Sequence, residues 1–168
     1  MTKIRRAKIE DIRLVSILEK EIEKENAASL EILMKRFYMF RDGFLVAENP
    51  MAISGYAESC RWDLDLKNLE HFGQIKDFPK HHKTCGRNLY VIFVGVREEY
   101  RRQGIGSELV KNLADYSIKN KVREMQVVAG ENLMDFYEKL GFKFDRIIPE
   151  FLPYSAGILM RKKIVQKD

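Results

Sequence analysis

The sequence predicts a mixed α/β fold built around a strand, a glycine turn and a helix. Residues 89–96 are apolar with a single glycine interruption and are rich in β-branched side chains, which is typical of a strand buried on both faces. Apolar side chains then recur at helical spacing over residues 104–120. Residues 122–129 predict a second strand, and a helical crossover between two strands implies that they are parallel neighbours.

Weaker patterns place the remaining elements. Apolar residues three or four apart predict a helix over residues 10–24, and Ser29 is a candidate N-cap for a second helix. Asn132 is a candidate cap for a short helix over residues 133–140, which Gly141 ends. The other predicted strands cover residues 3–6, 44–47, 53–62, 142–148 and 157–163.

Length and composition predict one globular domain over residues 1–168, located in the cytoplasm. Hydrophobic residues make up 45% and charged residues 33% of the chain, which excludes the disordered class. No apolar run approaches the ~20 residues of a membrane span, the N-terminus lacks a signal peptide's apolar core, and two cysteines make no disulfide framework. The net charge of +5 favours an anionic ligand, but no nucleic-acid motif is recognised. We therefore expect neither nucleic acid nor membrane as a partner.

Two connections between predicted elements are long. Residues 63–87 are polar and hold all three histidines, so we interpret them as a loop that shapes substrate binding, with a tolerated insertion as the alternative. Residues 149–155 are Pro-rich and are expected to be too long for a tight hairpin. The first connection lacks the ligand spacing of a zinc motif, so solvated histidines and no metal are expected. The side chains that could otherwise ligate zinc there are His71, His81, His82 and Cys85.

The turn between the central strand and its helix suits a phosphate. Arg101 and Arg102 precede Gly104 and Gly106, so positive charge and free backbone N–H groups meet at the helix start. Neither glycine has a Cβ, so a ligand can approach the backbone closely. A Walker loop is excluded because no Lys-Ser or Lys-Thr pair follows Gly106, and Leu109 replaces the third glycine of the dinucleotide fingerprint. A tight turn with solvated arginines is the alternative.

Two motifs together resemble the GNAT N-acetyltransferase family. The hexapeptide RRQGIG at residues 101–106 resembles the acetyl-CoA signature Gln/Arg-x-x-Gly-x-Gly/Ala of that family. The hexapeptide YEKLGF at residues 137–142 is similar to the family's last motif, and the two motifs occur in the expected order and at the expected distance. The resemblance covers residues 89–144 closely, whereas the first half of the chain matches only in the order of its elements.

The resemblance implies a mixed, mostly antiparallel sheet flanked by helices, with a central splay between two parallel strands. Acetyl-CoA is the implied cofactor. Its pantetheine arm would bond to the backbone of Val94 and Val96, and Asn132 would contact the same arm. The residues implied at the pyrophosphate are Arg101, Arg102, Gln103, Gly104, Ile105, Gly106 and Ser107.

The resemblance also implies that an acceptor amine attacks the thioester directly. The backbone N–H of Val94 would stabilise the oxyanion, and Tyr137 would protonate the departing thiolate, although a tyrosine on a helix face can equally be a core residue. The general base is left open, because Tyr90 stands where some members carry a glutamate. The candidates are Glu58 on the preceding strand, a histidine of residues 63–87, and a chain of waters.

The leading hypothesis is an acetyl-CoA-dependent N-acetyltransferase that acts on a small-molecule or peptide amine. A non-catalytic acyl-CoA-binding regulatory module is the alternative, and a nucleic-acid binder is suggested by net charge alone. No motif identifies the acceptor, and a homodimer is expected only by analogy with the family.

Overall fold

The computed structural model describes residues 2–66, 78–152 and 155–165. The strands are β1 (Lys3–Arg6), β2 (Phe44–Glu48), β3 (Ile53–Trp62), β4 (Asn88–Val96), β5 (Glu124–Ala129), β6 (Lys143–Leu152) and β7 (Ser155–Lys163). The helices are α1 (Asp11–Glu23), α2 (Leu30–Met39), α3 (Phe78–His81), α4 (Ile105–Lys119) and α5 (Met134–Lys139). None of these described helices is both long enough and apolar enough to cross a membrane.

The strands form one sheet in the order β1-β2-β3-β4-β5-β7-β6. The pairs β1–β2, β2–β3, β5–β7 and β7–β6 are antiparallel. The pair β4–β5 is parallel, and α4 forms the crossover between these two strands. A mostly antiparallel mixed sheet with a central parallel pair and flanking helices confirms the predicted fold class.

The chain divides into two compact units, Met1–Ser59 with Phe93–Leu113 and Cys60–Ile92 with Ala114–Asp168. Strands β3 and β4 and helix α4 each contribute residues to both units. A single acetyltransferase domain over residues 1–168 stays a prediction.

The core of the first unit lies between α1, α2 and strands β2 and β3. Ile12, Val15 and Leu18 recur at helical spacing along α1 and are fully buried. Phe44 on β2 stacks on Tyr56 of β3, with ring centroids 6.0 Å apart. Burial of each such side chain contributes roughly 1.5–3 kcal/mol to folding, so this packing firmly holds the polar groups embedded in it.

Two of the three predicted helix ends are confirmed. The Ser29 hydroxyl accepts a hydrogen bond at 3.2 Å from a first-turn N–H of α2, as an N-cap does. Gly141 ends α5 with a φ of 86°, a left-handed conformation that glycine adopts without strain. The prediction for Asn132 is wrong, because a 3₁₀ turn precedes α5 and places Leu133 at the N-cap position.

The last two strands are longer than the sequence predicts. β6 extends to Leu152, β7 begins at Ser155, and these two residues pair with each other. The expectation that residues 149–155 are too long for a tight hairpin is therefore wrong. The register shifts between Ile148 and Leu152, and Pro149 lies in that shifted stretch, where a residue without an N–H is tolerated.

The polar connection over residues 63–87 is described only at its ends. Residues 67–77, including His71, lie outside the described residues. On the described side, the Asp63 carboxylate accepts a hydrogen bond from the Arg87 N–H at 3.0 Å, which joins the two ends of the connection. The role of this connection in acceptor binding stays a prediction.

Candidate active site

The second half of β4 carries the first part of the candidate site. The parallel register of β4 with β5 runs from Asn88 to Val91, although β4 continues to Val96. Leu89 to Val91 are buried, whereas Val94 and Val96 are half-buried, so the prediction of a strand buried on both faces holds only for its first half. Backbone groups beyond the paired register are available to an extended ligand that binds as an added strand.

The glycine turn that follows β4 is open. Residues 101–104 are exposed, and Gly104 has a φ of 80°. A Cβ at Gly104 would meet nothing within 4 Å, so there is space directly against the backbone. The first helical hydrogen bond of α4 runs from Glu108 N–H to the Gly104 carbonyl at 2.9 Å. The preceding amides therefore have no helical partner, and they sit at the positive end of a 15-residue helix.

Side chains of the same turn fix its shape and charge. Arg101 Nε donates to the Val96 carbonyl at 3.0 Å, which ties the turn to the end of β4. Gln103 Nε2 donates to the Glu99 carbonyl at 3.3 Å. The open space at Gly104, the amides and the guanidinium together fit the anionic pyrophosphate of a coenzyme A compound.

Tyr137 lies on α5 and is only 4% exposed. Its ring packs edge-on against Phe142, with centroids 5.3 Å apart, and against Phe136 at 4.9 Å. Burial raises the pKa of the phenol above its ordinary value, so it keeps its proton at neutral pH. The side chain is thus a core aromatic that also holds a transferable proton. Asn132 is exposed in the turn before this helix.

Glu58 is a buried carboxylate on β3. Its side chain is 1% exposed, and Oε1 accepts a hydrogen bond from Arg36 of α2 at 2.6 Å. The other oxygen, Oε2, has no hydrogen-bond partner within the described part of the chain. Burial is the main reason that the pKa of Glu58 is raised to about 7, with Arg36 opposing the shift and Glu19 adding to it. An unpaired carboxylate oxygen that titrates near neutrality can accept a proton from a substrate.

Glu19 is a second buried acid beside this group, and the sequence analysis did not identify it. It is 4% exposed on α1, where Oε2 accepts a hydrogen bond from the Tyr56 hydroxyl. Its Oε1 accepts from the Ala28 N–H at 3.0 Å. Its spacing in the sequence is the feature that could have indicated its burial. Position 19 lies seven residues after Ile12 and four after Val15, on the apolar face of α1.

Of the histidines that are alternative base candidates, His71 lies outside the described residues and His81 lies at the end of α3. Tyr90 packs on Trp62 with ring centroids 4.6 Å apart. The Nδ1 atom of His82 accepts a hydrogen bond from the Arg61 N–H at 3.2 Å, and burial, followed by the charge of Arg61, lowers the pKa of that histidine. Over the ranges that the structure describes, no three His, Cys, Asp or Glu side chains converge as metal ligands.

Comparisons with known proteins agree with the two motifs. A family model described as "Acetyltransferase (GNAT) family" matches residues 13–142. A thialysine N-epsilon-acetyltransferase of Sus scrofa is 32% identical over 141 residues, which cover 82% of this chain and 82% of that protein. The protein of the same name from Bos taurus is 34% identical over 59 residues, which cover 33% of this chain and 35% of that protein. This second match therefore spans about a third of the relative.

A solved structure shares the whole fold. The loading GNATL domain of CurA from Lyngbya majuscula superposes with a TM-score of 0.81, at 19% identity and over 98% of both chains. At this identity the likeness concerns the fold alone. The family model, by contrast, matches well over half of the residues, including the glycine turn and the whole of the later motif. On that match the chain belongs to the acetyltransferase (GNAT) family.

Proposed function

We propose that the chain is an acetyl-CoA-dependent N-acetyltransferase whose acceptor is a primary amine on a small, flexible molecule. The observation that carries the proposal is Glu58, a buried carboxylate whose Oε2 has no hydrogen-bond partner among the described residues and whose pKa is raised to about 7. Removal of a proton from the acceptor is the step that amine acylation needs from the protein, and a base that titrates near the working pH suits it. The names of the Sus scrofa and Bos taurus relatives support a lysine-like amine as the acceptor.

The cofactor would be held by backbone groups of β4 and the following turn. The N–H and C=O groups of Val94 and Val96 would bond to the pantetheine arm, and Asn132 would contact that arm from the turn before α5. The support is the second half of β4, which lies beyond the register paired with β5, and the open space against Gly104. The pyrophosphate would lie on amides of residues 103–107, with Arg101 and Arg102 supplying positive charge.

Three groups of the chain would act on the reacting atoms. Acetyl-CoA supplies an acetyl group activated as a thioester. Glu58 Oε2 accepts the proton of the acceptor ammonium, and because this oxygen is enclosed we expect an intervening water to carry the proton. The Val94 N–H would donate a hydrogen bond to the carbonyl oxygen as it gains negative charge. The Tyr137 phenol would give its proton to the departing sulfur and would be reprotonated by the second proton that the amine nitrogen loses. The buried neutral state of that phenol supports this role.

Release of coenzyme A thiol in the presence of a panel of amines tests the proposal. We expect thialysine, lysine and short diamines to support release, whereas acetyl-CoA alone gives only slow hydrolysis. Matched alcohols, which have the same length but a hydroxyl in place of the amine, are the control for acceptor chemistry. A chain that binds acetyl-CoA by calorimetry but releases no thiol with any amine would instead be the non-catalytic binding module.

A further inference from the structure

We infer that Glu19 is a positioning residue that locks the α1–α2 connection onto β3 and holds a second negative charge within electrostatic reach of Glu58. The inference rests on the proposed function, because it concerns the base of that reaction. It adds a role for a residue that carries no motif and touches none of the reacting atoms.

The hydrogen bonds of Glu19 join three segments of the first unit. The residue belongs to α1, one carboxylate oxygen accepts from the Ala28 N–H in the connection to α2, and the other accepts from the Tyr56 hydroxyl on β3. Tyr56 is itself fully buried. Both oxygens thus have a donor, so Glu19 is satisfied in a place where an unpaired carboxylate would be costly.

Tyr56 extends this contact to β4. Its ring lies beside Phe93, with centroids 5.2 Å apart, and Phe93 directly precedes Val94 in the strand. Gly95 follows Val94 in the strand, and a Cβ at Gly95 would lie 2.8 Å from Ile22 of α1. Helix α1 therefore approaches β4 closely at Gly95. Glu19 therefore anchors a ring that packs against the part of β4 proposed to hold the thioester.

The hydrogen bonds alone do not require a charge at position 19. The amide oxygen of a glutamine could accept from Ala28, and its NH₂ group could donate to the Tyr56 oxygen. A buried carboxylate costs more than a buried amide, because the charge must be desolvated. The hydrogen bonds therefore do not explain why position 19 carries a negative charge. An effect of that charge on the neighbouring base, Glu58, does explain it.

Three groups face Glu58 from the elements around it: Glu19 from α1, Arg36 from α2 and the phenol of Tyr56 on β3. Arg36 favours the ionised carboxylate, and Tyr56 stays neutral because burial raises the pKa of its phenol. Glu19 repels a negative charge on Glu58 and so raises the pKa of Glu58 further. Without that repulsion, Glu58 would lose its proton at a lower pH.

The test is the pH profile of kcat/KM for the wild type, Glu19→Gln, Glu25→Gln and Glu58→Gln, with thermal melts to confirm folding. The wild-type rate should rise through a pH of about 7, as Glu58 ionises. In Glu19→Gln we expect this rise to move to lower pH, because the repulsion that favours the protonated carboxyl is gone. Glu25→Gln is the matched control, because it removes an exposed negative charge just beyond the end of the same helix. It should leave the profile unchanged.

Glu19→Met provides a second route if Glu19→Gln does not fold. It removes the same negative charge and fills the space with an apolar side chain, so the rise should again move to lower pH. An unmoved rise in the folded variants, with the rise abolished in Glu58→Gln, overturns the role of Glu19 and leaves the proposed base intact. A rise that persists in Glu58→Gln overturns both.

Discussion

At the scale of single residues, the candidate chemistry depends on two buried titratable side chains with opposite roles, one that accepts a proton and one that donates a proton. In the part of the chain that the structure describes, one oxygen of Glu58 has no hydrogen-bond partner, and a pKa of about 7 lets this carboxylate accept a proton. Tyr137 is surrounded by aromatic rings and stays protonated, so it can donate one. Burial causes both shifts, because a low-dielectric environment disfavours the charged form of each group.

Tyr137→Phe separates the acid role of this tyrosine from its packing role. The ring and its contacts with Phe142 remain, so folding should survive. Loss of the phenolic proton should lower kcat by ~10²–10⁴-fold with little change in acetyl-CoA affinity. The measurement is steady-state kinetics on the best acceptor, with the exposed Tyr38→Phe as control. A wild-type kcat in a stable Tyr137→Phe protein would return Tyr137 to a purely structural role.

At the scale of elements, the end of β4 and the turn that leads into α4 form the part of the chain that suits the binding of acetyl-CoA. The register between β4 and β5 ends at Val91, which leaves backbone groups on the β5 side of β4 available, and the turn presents amides next to them in sequence. Arg101 connects the two parts through the Val96 carbonyl. A substitution in the turn should therefore weaken the affinity for acetyl-CoA more than it lowers the rate of acetyl transfer.

Gly104→Asp tests the turn. The substitution places a side chain and a negative charge in open space, at a left-handed backbone position that favours glycine. Repulsion of the pyrophosphate should weaken acetyl-CoA binding about tenfold or more, as measured by calorimetry. Asn120→Asp adds the same charge just beyond the far end of α4 and should bind as the wild type does. Equal affinity in a folded Gly104→Asp protein would place the cofactor elsewhere.

The elements that the sequence predicts correctly are those in which a local pattern decides the structure. The apolar run of β4, the helical spacing of α1 and the glycine at position 141 each depend on neighbouring residues alone. The extension of β6 to Leu152 depends on pairing with β7, which local composition does not reveal. For the same reason Pro149 looks like the start of a loop in the sequence but lies within a shifted strand.

The same distinction between local pattern and tertiary packing decides which residues of the candidate site can be predicted from the sequence. Glu58 was a candidate base because it lies on the strand before β4, but its unpaired oxygen depends on tertiary packing. Glu19 was missed because a charged residue among helical apolar positions is usually placed on the solvated face. Its burial requires donors from Tyr56 and Ala28, which are 37 and nine residues away in the chain.

At the scale of the whole molecule, the buried base has a consequence for stability. The pKa of Glu58 is higher in the folded chain than its ordinary value, so the folded state binds the proton more tightly than the unfolded state. The resulting stabilisation is complete at acidic pH, below the ordinary pKa. It is lost as pH rises through about 7.

We therefore expect the melting temperature of the wild type to fall as pH rises from 5 to 8, by an amount equivalent to roughly 3 kcal/mol from this group. Glu58→Gln has no titrating group at this position and should show a smaller decline. The exposed substitution Glu25→Gln is the control and should follow the wild type. Melting curves at a series of pH values provide the comparison, and identical slopes for all three proteins would show that Glu58 does not titrate in this range.

The central claim is that the chain joins an acetyl group to an amine with Glu58 as the proton acceptor. Amine-dependent release of coenzyme A thiol, measured for the wild type and Glu58→Gln at a pH of about 8, tests it most directly. The account predicts release that requires both acetyl-CoA and the amine, and a loss of ~10²-fold or more in kcat/KM in a folded Glu58→Gln protein. Equal rates in the two proteins, or no amine-dependent release in the wild type, would contradict it.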